Sequence, residues 1–413
     1  MFKALILILI AFGFLFDLIT SCLDSSWRKT HPLPRNVTDV YDPAQYDTWQ
    51  RYSAEKKRLS LMGSFVSAAL AFVFYALDLF AHISKSILPA GEYASSIMLV
   101  LFWTLLTSLV GLPFSYVSQM KIEEKYGFNR STHATFLVDF VKETVIGAGL
   151  MCGLTAACVA FYHAFGPWFI LAVYLLIAAF SIVVSTFSLT FMKLFNKFEP
   201  LAEGSLRSRL TAMFEKSGYR LKNIYVMNAS KRTTKANAFC AGLGRYKEIA
   251  LYDNLVNHFT DDEILAVFAH ELTHFRHSDT RHMTVLNLIR FLPAAVLFFL
   301  MAENPALLHQ LGFDALHFGI ILITLAEAIL GPVMTLADIP VHAVSRAHER
   351  RADTWAAGEG LGQALVSALK KLARGNFANL NPHPVNVALS YTHPPISERV
   401  AYILEADKQF RHN

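Results

Sequence analysis

The chain has 413 residues, of which 54% are hydrophobic and only 17% charged, with a formal net charge of +5. A soluble protein of ordinary composition carries about a quarter charged residues, so a single large soluble core is excluded, and the long apolar blocks point to a membrane. No basic tract is interleaved with aromatics, so no nucleic-acid partner is expected.

In chain order, seven stretches are long and apolar enough to span a bilayer: 3–21, 61–83, 96–117, 144–164, 168–192, 283–302 and 315–337. Gly166-Pro167 separates the fourth from the fifth. Loop 22–60 carries seven Lys and Arg and loop 118–143 carries four, whereas 84–95, 165–167 and 303–314 carry one, none and none. The positive-inside rule then places the N-terminus outside and both 193–282 and 338–413 on the cytoplasmic side. Asp78, Arg290 and Glu327 lie within spans, with Glu143 at a margin. Such residues face a bundle interior or a water-filled cavity, and together they favour a hydrated interior. Cys22, Cys152, Cys158 and Cys240 fit no ribbon or redox spacing and read as reduced structural thiols. Cys22 closes "ITSC", similar to a lipoprotein cleavage box, but lipidation there would put seven positive charges outside.

The segment 193–282 reads as a small α+β unit: a helix over 201–217, strands over 223–227 and 248–255, and a third strand in "KANAFCAGLG" (235–244). Thr260 with Glu263 forms a capping box. Ile264, Leu265, Phe268, Leu272 and Phe275 recur at helical spacing, so "AVFAHELTHFRHSDT" (266–280) starts on a helix. The expected organisation is 1–192 with five spans, 193–282 as a catalytic domain, 283–337 with two spans, and 338–413 as a helical segment completing the site.

His270 and His274 are four apart, so both imidazoles leave one helix face, as two ligands of one tetrahedral zinc require. With Glu271 this is H-E-x-x-H, the zincin signature. In "SRAHERRADTWAA" (345–357), Glu349 and Asp353 are again four apart. Glu349 can complete a two-His, one-Glu site for one zinc per chain, with a fourth position open. Asp353 can accept the free ring N–H of a ligating histidine. His277, His282, His342 and His348 are assigned no ligand role. The expected chemistry is peptide hydrolysis, with zinc-bound water as nucleophile and Glu271 as general base. Segment 235–244 offers an edge strand for an extended peptide, with Asn237, Ala238 and Phe239 in contact with it. His393 in "YTHPPISERV" (391–400) could donate to an oxyanion, although a lone His-Pro carries little weight. A transporter or scaffold with a structural zinc site is the alternative; it has no need of Glu271.

These motifs carry a resemblance. The chain resembles the type I CAAX prenyl endopeptidases, integral-membrane zinc metalloproteases, over nearly its whole length. The resemblance rests on "IEEKYGFNRST" (122–132), "FEPL" (198–201), "SKRTTKANAF" (230–239), "IALYDNL" (249–255), H-E-x-x-H, "SRAHERRAD" and "THPPISER", in that order. It implies seven helices around a water-filled chamber, a zincin-type cytoplasmic domain, and His270, His274 and Glu349 as ligands with Glu271 as base. It also implies that Asn237 and His393 assist catalysis or substrate binding. Substrates would be CAAX-type or other membrane-associated peptides and proteins, prenylated or membrane-inserted, reached from the bilayer. The C-terminal "DKQFRHN" carries no evident retrieval signal, so a bacterial cytoplasmic membrane is expected rather than the endoplasmic reticulum.

Overall fold

The computed structural model describes residues 1–86, 91–193, 196–241 and 246–411. The described chain is mostly helical, and six stretches in it are long and apolar enough to cross a membrane: Phe2–Thr30, Pro43–Ala76, Tyr93–Glu123, His133–Thr186, Asp279–Ala302 and Phe318–Gly375. Six stretches stand where seven spans are expected because 133–186 is counted as one. Within it, helix His133–Phe165 ends at Gly166, whose φ of 54° suits glycine, and helix Phe169–Thr186 follows a single 3₁₀ turn.

Several helices outrun their apolar cores. Pro43–Ala76 begins 18 residues before the expected span, with an Asp42–Gln45 capping box and Pro43 in its first turn. Polarity marks where a chain leaves the bilayer, not where its helix stops. The same holds for Leu330–Ala356, which carries the second motif. Asp78 lies not inside a helix but in the break after Ala76, at φ 54°, and pairs with Lys3 at 2.8 Å. Glu327, on a π-turn, accepts from Trp103 Nε1 at 2.8 Å, and Arg290 pairs with Asp338.

One large apolar cluster includes Ile6, Phe74, Phe80, Leu99, Trp103, Cys158, Phe169, Phe298 and Phe318. These positions fall at the starts of the helices beginning at 2, 79, 92, 169 and 318, and at the ends of those finishing at 76, 165 and 302. The helices therefore converge on one side of the bundle, sealed by edge-on rings such as Phe80–Trp103 at 4.9 Å. In five of the six stretches only 17% of the most apolar window is buried. Leu109, Val145, Leu175 and Leu300 present the outer apolar surface.

At the opposite end lies a four-stranded sheet, order β1-β2-β4-β3: Phe198–Pro200, Arg220–Met227, Tyr246–Tyr252 and Ala238–Ala241 respectively. β2 and β4 are parallel; β1 and β3 flank them antiparallel, with β3 at an edge. The expected third strand is present only as β3, and residues 242–245 lie outside the described ones. The strand expected to reach 255 stops at Tyr252, because Asp253–His258 turns into a short helix.

The helix Asp261–Arg276 is buried on both sides. Ile264, Leu265, Phe268 and Leu272 pack with Leu210, Phe214 and the sheet residues Ile224, Ile249 and Leu251. Ala266 and Ala269 join a second cluster with Ala356, Leu365, Leu369, Val400 and Ile403 from the C-terminal helices. Alanine on both facing surfaces lets the helix backbones approach closely, and that approach sets the reach of the side chains between them.

Candidate metal centre and active site

The motif helix is fixed at both ends. Thr260 N donates to Glu263 Oε2 at 2.9 Å, and Glu263 N donates to Thr260 Oγ1, closing the capping box. Glu263 also accepts from Ser367 Oγ at 2.6 Å and Lys371 Nζ at 2.7 Å, anchoring the helix to Gly362–Gly375. Burial raises the Glu263 pKa, but these donors outweigh it and hold the carboxyl below its ordinary value. At the far end Ser278, with φ 56°, reverses the chain into helix Asp279–Arg290.

His270 and His274 project from one face of the motif helix toward Glu349 on Leu330–Ala356. His270 Nε2 stands 3.2 Å from Glu349 Oε2, His274 Nε2 stands 3.4 Å from Glu349 Oε1, and the two Nε2 atoms are 3.2 Å apart. Ligands about 2.0–2.1 Å from a tetrahedral zinc lie about 3.3 Å from one another, so these separations match one zinc coordination face.

The outer ring nitrogens are also engaged. His270 Nδ1 stands 2.7 Å from Asp353 Oδ1, and His274 Nδ1 stands 2.9 Å from Asp279 Oδ2. The hydrogen bond of His274 Nδ1 to Asp279 turns its Nε2 lone pair inward, and the Asp353 charge beside His270 Nδ1 favours a proton on that nitrogen, leaving its Nε2 inward likewise, the tautomer a metal ligand needs. Glu349 Oε2 is buried and accepts no hydrogen bond among the described residues. Burial pushes His270 toward neutrality, but Asp353 and Glu349 outweigh it and hold its pKa at about 10. The pocket thus calls for positive charge, and its donor set and spacing fit a divalent zinc-type ion.

Asp353 is fully buried and accepts from Arg399 Nε and Nη2, each at 2.7 Å, and from Tyr402 Oη at 2.8 Å. Asp279 pairs with Arg351. Asp279, Arg399 and Tyr402 complete the arrangement around the two histidines, and sequence reading misses them. Arg399 stands inside "THPPISER", but that motif is read only for His393; Asp279 carries no periodic signal, since the turn at Ser278 places it.

Glu271 is half-buried, and its carboxylate makes no hydrogen bond or ion pair among the described residues. His393 joins the cluster, with Nε2 3.3 Å from Glu349 Oε1 and the side chain 57% exposed. Asn237 does not touch the histidines; it is exposed at the start of β3, where its Oδ1 accepts from Ala238 N at 2.9 Å. Ala238 and Phe239 pair with Leu251 and Ala250 of β4, leaving the other edge of β3 unpaired by the sheet.

Comparison with known proteins supplies a family for this geometry. Residues 25–197 match the model described as CAAX prenyl protease N-terminal, five membrane helices, and residues 200–407 match peptidase family M48. A CAAX prenyl protease 1 homolog of Arabidopsis thaliana is 30% identical over 396 residues, covering 92% of each chain. CAAX prenyl protease 1 of Saccharomyces cerevisiae is 28% identical over 407 residues, covering 91% of this chain and 90% of its own. The crystal structure of S. mikatae Ste24p superposes with a TM-score of 0.87 at 26% identity, over 97% of this chain and 98% of that one. All three are eukaryotic and lend no support to the bacterial membrane expected from the sequence. The family is one of metalloproteases, generally of zinc. This chain is an integral, multi-pass membrane metalloendopeptidase, and it belongs to peptidase family M48, in the type I CAAX prenyl protease family.

Proposed function

We propose that the chain hydrolyses peptide bonds of CAAX-type or other membrane-associated peptides and proteins, using one zinc held by His270, His274 and Glu349. The observation that carries this reading is the 3.2–3.4 Å triangle of those ligand atoms, with both outer ring nitrogens held by buried carboxylates. Zinc in such a site supplies Lewis acidity, bringing the pKa of water to about 7 and polarising a carbonyl. Glu271, adjacent to His270 and without a hydrogen-bond donor among the described residues, takes the proton from the attacking water and later delivers it to the leaving amine. His393 donates from Nε2 to the carbonyl oxygen as negative charge develops there. Asp353 and Asp279 hold the two imidazoles in one tautomer, and Arg399 and Tyr402 hold Asp353 in place. An extended substrate adds to the open edge of β3, where Asn237, Ala238 and Phe239 meet its backbone.

The bend at Gly166 supports seven crossings, with 193–282 and 338–413 on the cytoplasmic side as the charge pattern requires. The apolar seal on one side, the sparse burial along the spans and a cavity of about 570 Å³, with Tyr52, Lys56, Lys57, Asn386 and Tyr391 in its lining, support a hydrated chamber behind the zincin-type domain. The division into 1–192, 193–282, 283–337 and 338–413 is one of function, since helices Asp279–Arg290 and Leu330–Ala356 run on across residues 282 and 337. A structural-zinc transporter or scaffold leaves the free Glu271 carboxylate without a task.

One peptide ending in a CAAX sequence, farnesylated and unmodified, tests the substrate class with purified protein in detergent. Metal-dependent cleavage confined to the farnesylated form assigns prenylated substrates. Equal cleavage of both assigns a broader membrane peptidase. Cleavage of neither, by zinc-loaded protein, contradicts the proposal.

A further inference from the structure

A second cluster of metal-ligand type lies against the first. Asp279 and His282 are three apart on helix Asp279–Arg290 and so share a face. His348 approaches them from Leu330–Ala356, one residue before Glu349. One ligand atom from each of the three can be chosen so that all lie within 4.8 Å of one another. His348 Nδ1 is 3.7 Å from Asp279 Oδ1, and the His282 and His348 rings are 6.2 Å apart between centroids. His348 Nδ1 is buried without a hydrogen-bond partner among the described residues, which leaves that ring nitrogen available to a ligand.

Two imidazoles and a carboxylate are a donor set for a borderline divalent ion such as zinc. Drawing the three atoms to the tetrahedral separation of about 3.3 Å needs small rotations, and the exposed His282 can make them. The charged group in competition is Arg351, whose Nη2 donates to Asp279 Oδ1 from a side chain that is 40% exposed. In the ion-free arrangement this guanidinium meets the charge of Asp279. It can swing into solvent when a metal ion takes its place, and that exchange makes the second site weaker than the first.

We propose that Asp279, His282 and His348 form a second divalent-metal site that inhibits the enzyme when filled. The inhibition rests on the metalloprotease reading above and runs through Asp279. Its Oδ2 accepts from His274 Nδ1 at 2.9 Å. An ion bound to Asp279 draws that carboxylate off the histidine, and loss of such outer support weakens metal affinity or activity about 10–100-fold. Excess metal therefore slows the enzyme that a single ion activates.

The test loads metal-free full-length protein with zinc and counts bound ions by equilibrium dialysis, for wild type, His282→Ala and His270→Ala. Peptide cleavage by wild type and His282→Ala is followed over the same range of free zinc. Wild type is expected to take up a tight and a weaker ion, and to lose about 10–100-fold in rate as the second fills. His282→Ala, altered at an exposed position, should bind the second ion at least tenfold more weakly, keep basal activity, and need at least tenfold more zinc for the same inhibition. His270→Ala should lose the tight ion and keep the weaker one. Uptake of only one ion by wild type, an unaltered second ion in His282→Ala, or a second ion that leaves the rate unchanged overturns the proposal. Retention of the tight ion by His270→Ala is a separate result, and it sinks the first-site reading instead.

Discussion

Replacing Asp353 with asparagine tests how the site is held together. The Asp353 carboxylate meets His270 Nδ1, Arg399 Nε and Nη2, and Tyr402 Oη, all within 2.8 Å. Asparagine keeps the shape but removes the charge and turns one acceptor into a donor. Two losses follow. His270 loses a charged acceptor, and outer-support changes of this kind weaken metal binding about 10–100-fold, roughly 1.4–2.7 kcal/mol. Arg399, only 7% exposed, loses its bidentate partner. Stranding a buried charge costs about 3–5 kcal/mol, and Glu349 Oε2 at 3.7 Å from Arg399 Nη2 keeps the effect toward the lower bound. Asp353→Asn should therefore bind zinc at least tenfold more weakly in a chelator competition, and the metal-free protein should unfold at lower temperature than metal-free wild type. Tyr402→Phe removes one neutral donor and should lower stability with zinc affinity within about threefold of wild type. Zinc affinity in Asp353→Asn within threefold of wild type, with the protein folded, would refute the supporting role.

Three further outcomes are expected. His393→Ala should lower kcat about 10²–10³-fold with bound zinc unchanged, read by single-turnover cleavage beside metal analysis. N-methylation of alternate substrate amides should raise KM if the substrate backbone pairs with β3, and Asn237→Ala should raise it about tenfold through one lost hydrogen bond; unchanged KM for both would remove β3 from the substrate path. Glu263 has its pKa held down in the folded state, so its contribution is complete above its unfolded pKa near 4.3 and fades as pH falls through the folded value. Glu263→Gln should thus lower the unfolding midpoint at pH 7 and narrow the gap from wild type as the pH falls below about 4; a gap that widens in acid contradicts the assignment.

The two ligand helices are legible in the sequence because each carries its residues four apart, and helical periodicity is a local property. His270 with His274, and Glu349 with Asp353, are both visible in that way. The supporting groups are not. Tyr402 and Arg399 reach Asp353 from 49 and 46 residues away, through the packing of a C-terminal helix. Asp279 returns to His274 only because Ser278 adopts a left-handed conformation that composition does not announce. Hydropathy finds the spans but misplaces helix ends, since Pro43–Ala76 stays helical well beyond its apolar part. β1 escapes notice because it is three residues long and contains a proline. The strand expected through 255 gives way to a turn in which Asn254 Nδ2 donates to the carbonyls of Thr233, at 2.8 Å, and Lys235, at 3.1 Å. Those side-chain bonds fix the approach to β3, and no period-2 pattern reveals them.

Whether Glu271 is the general base beside a zinc held by other residues is decided by single-turnover cleavage of one peptide by wild type and Glu271→Gln, each with its zinc content measured in the same sample. Equal zinc, an equal unfolding midpoint, and a rate lower by about 10²–10⁴-fold in the variant are expected. A variant that keeps its zinc and cleaves within tenfold of wild type contradicts that role.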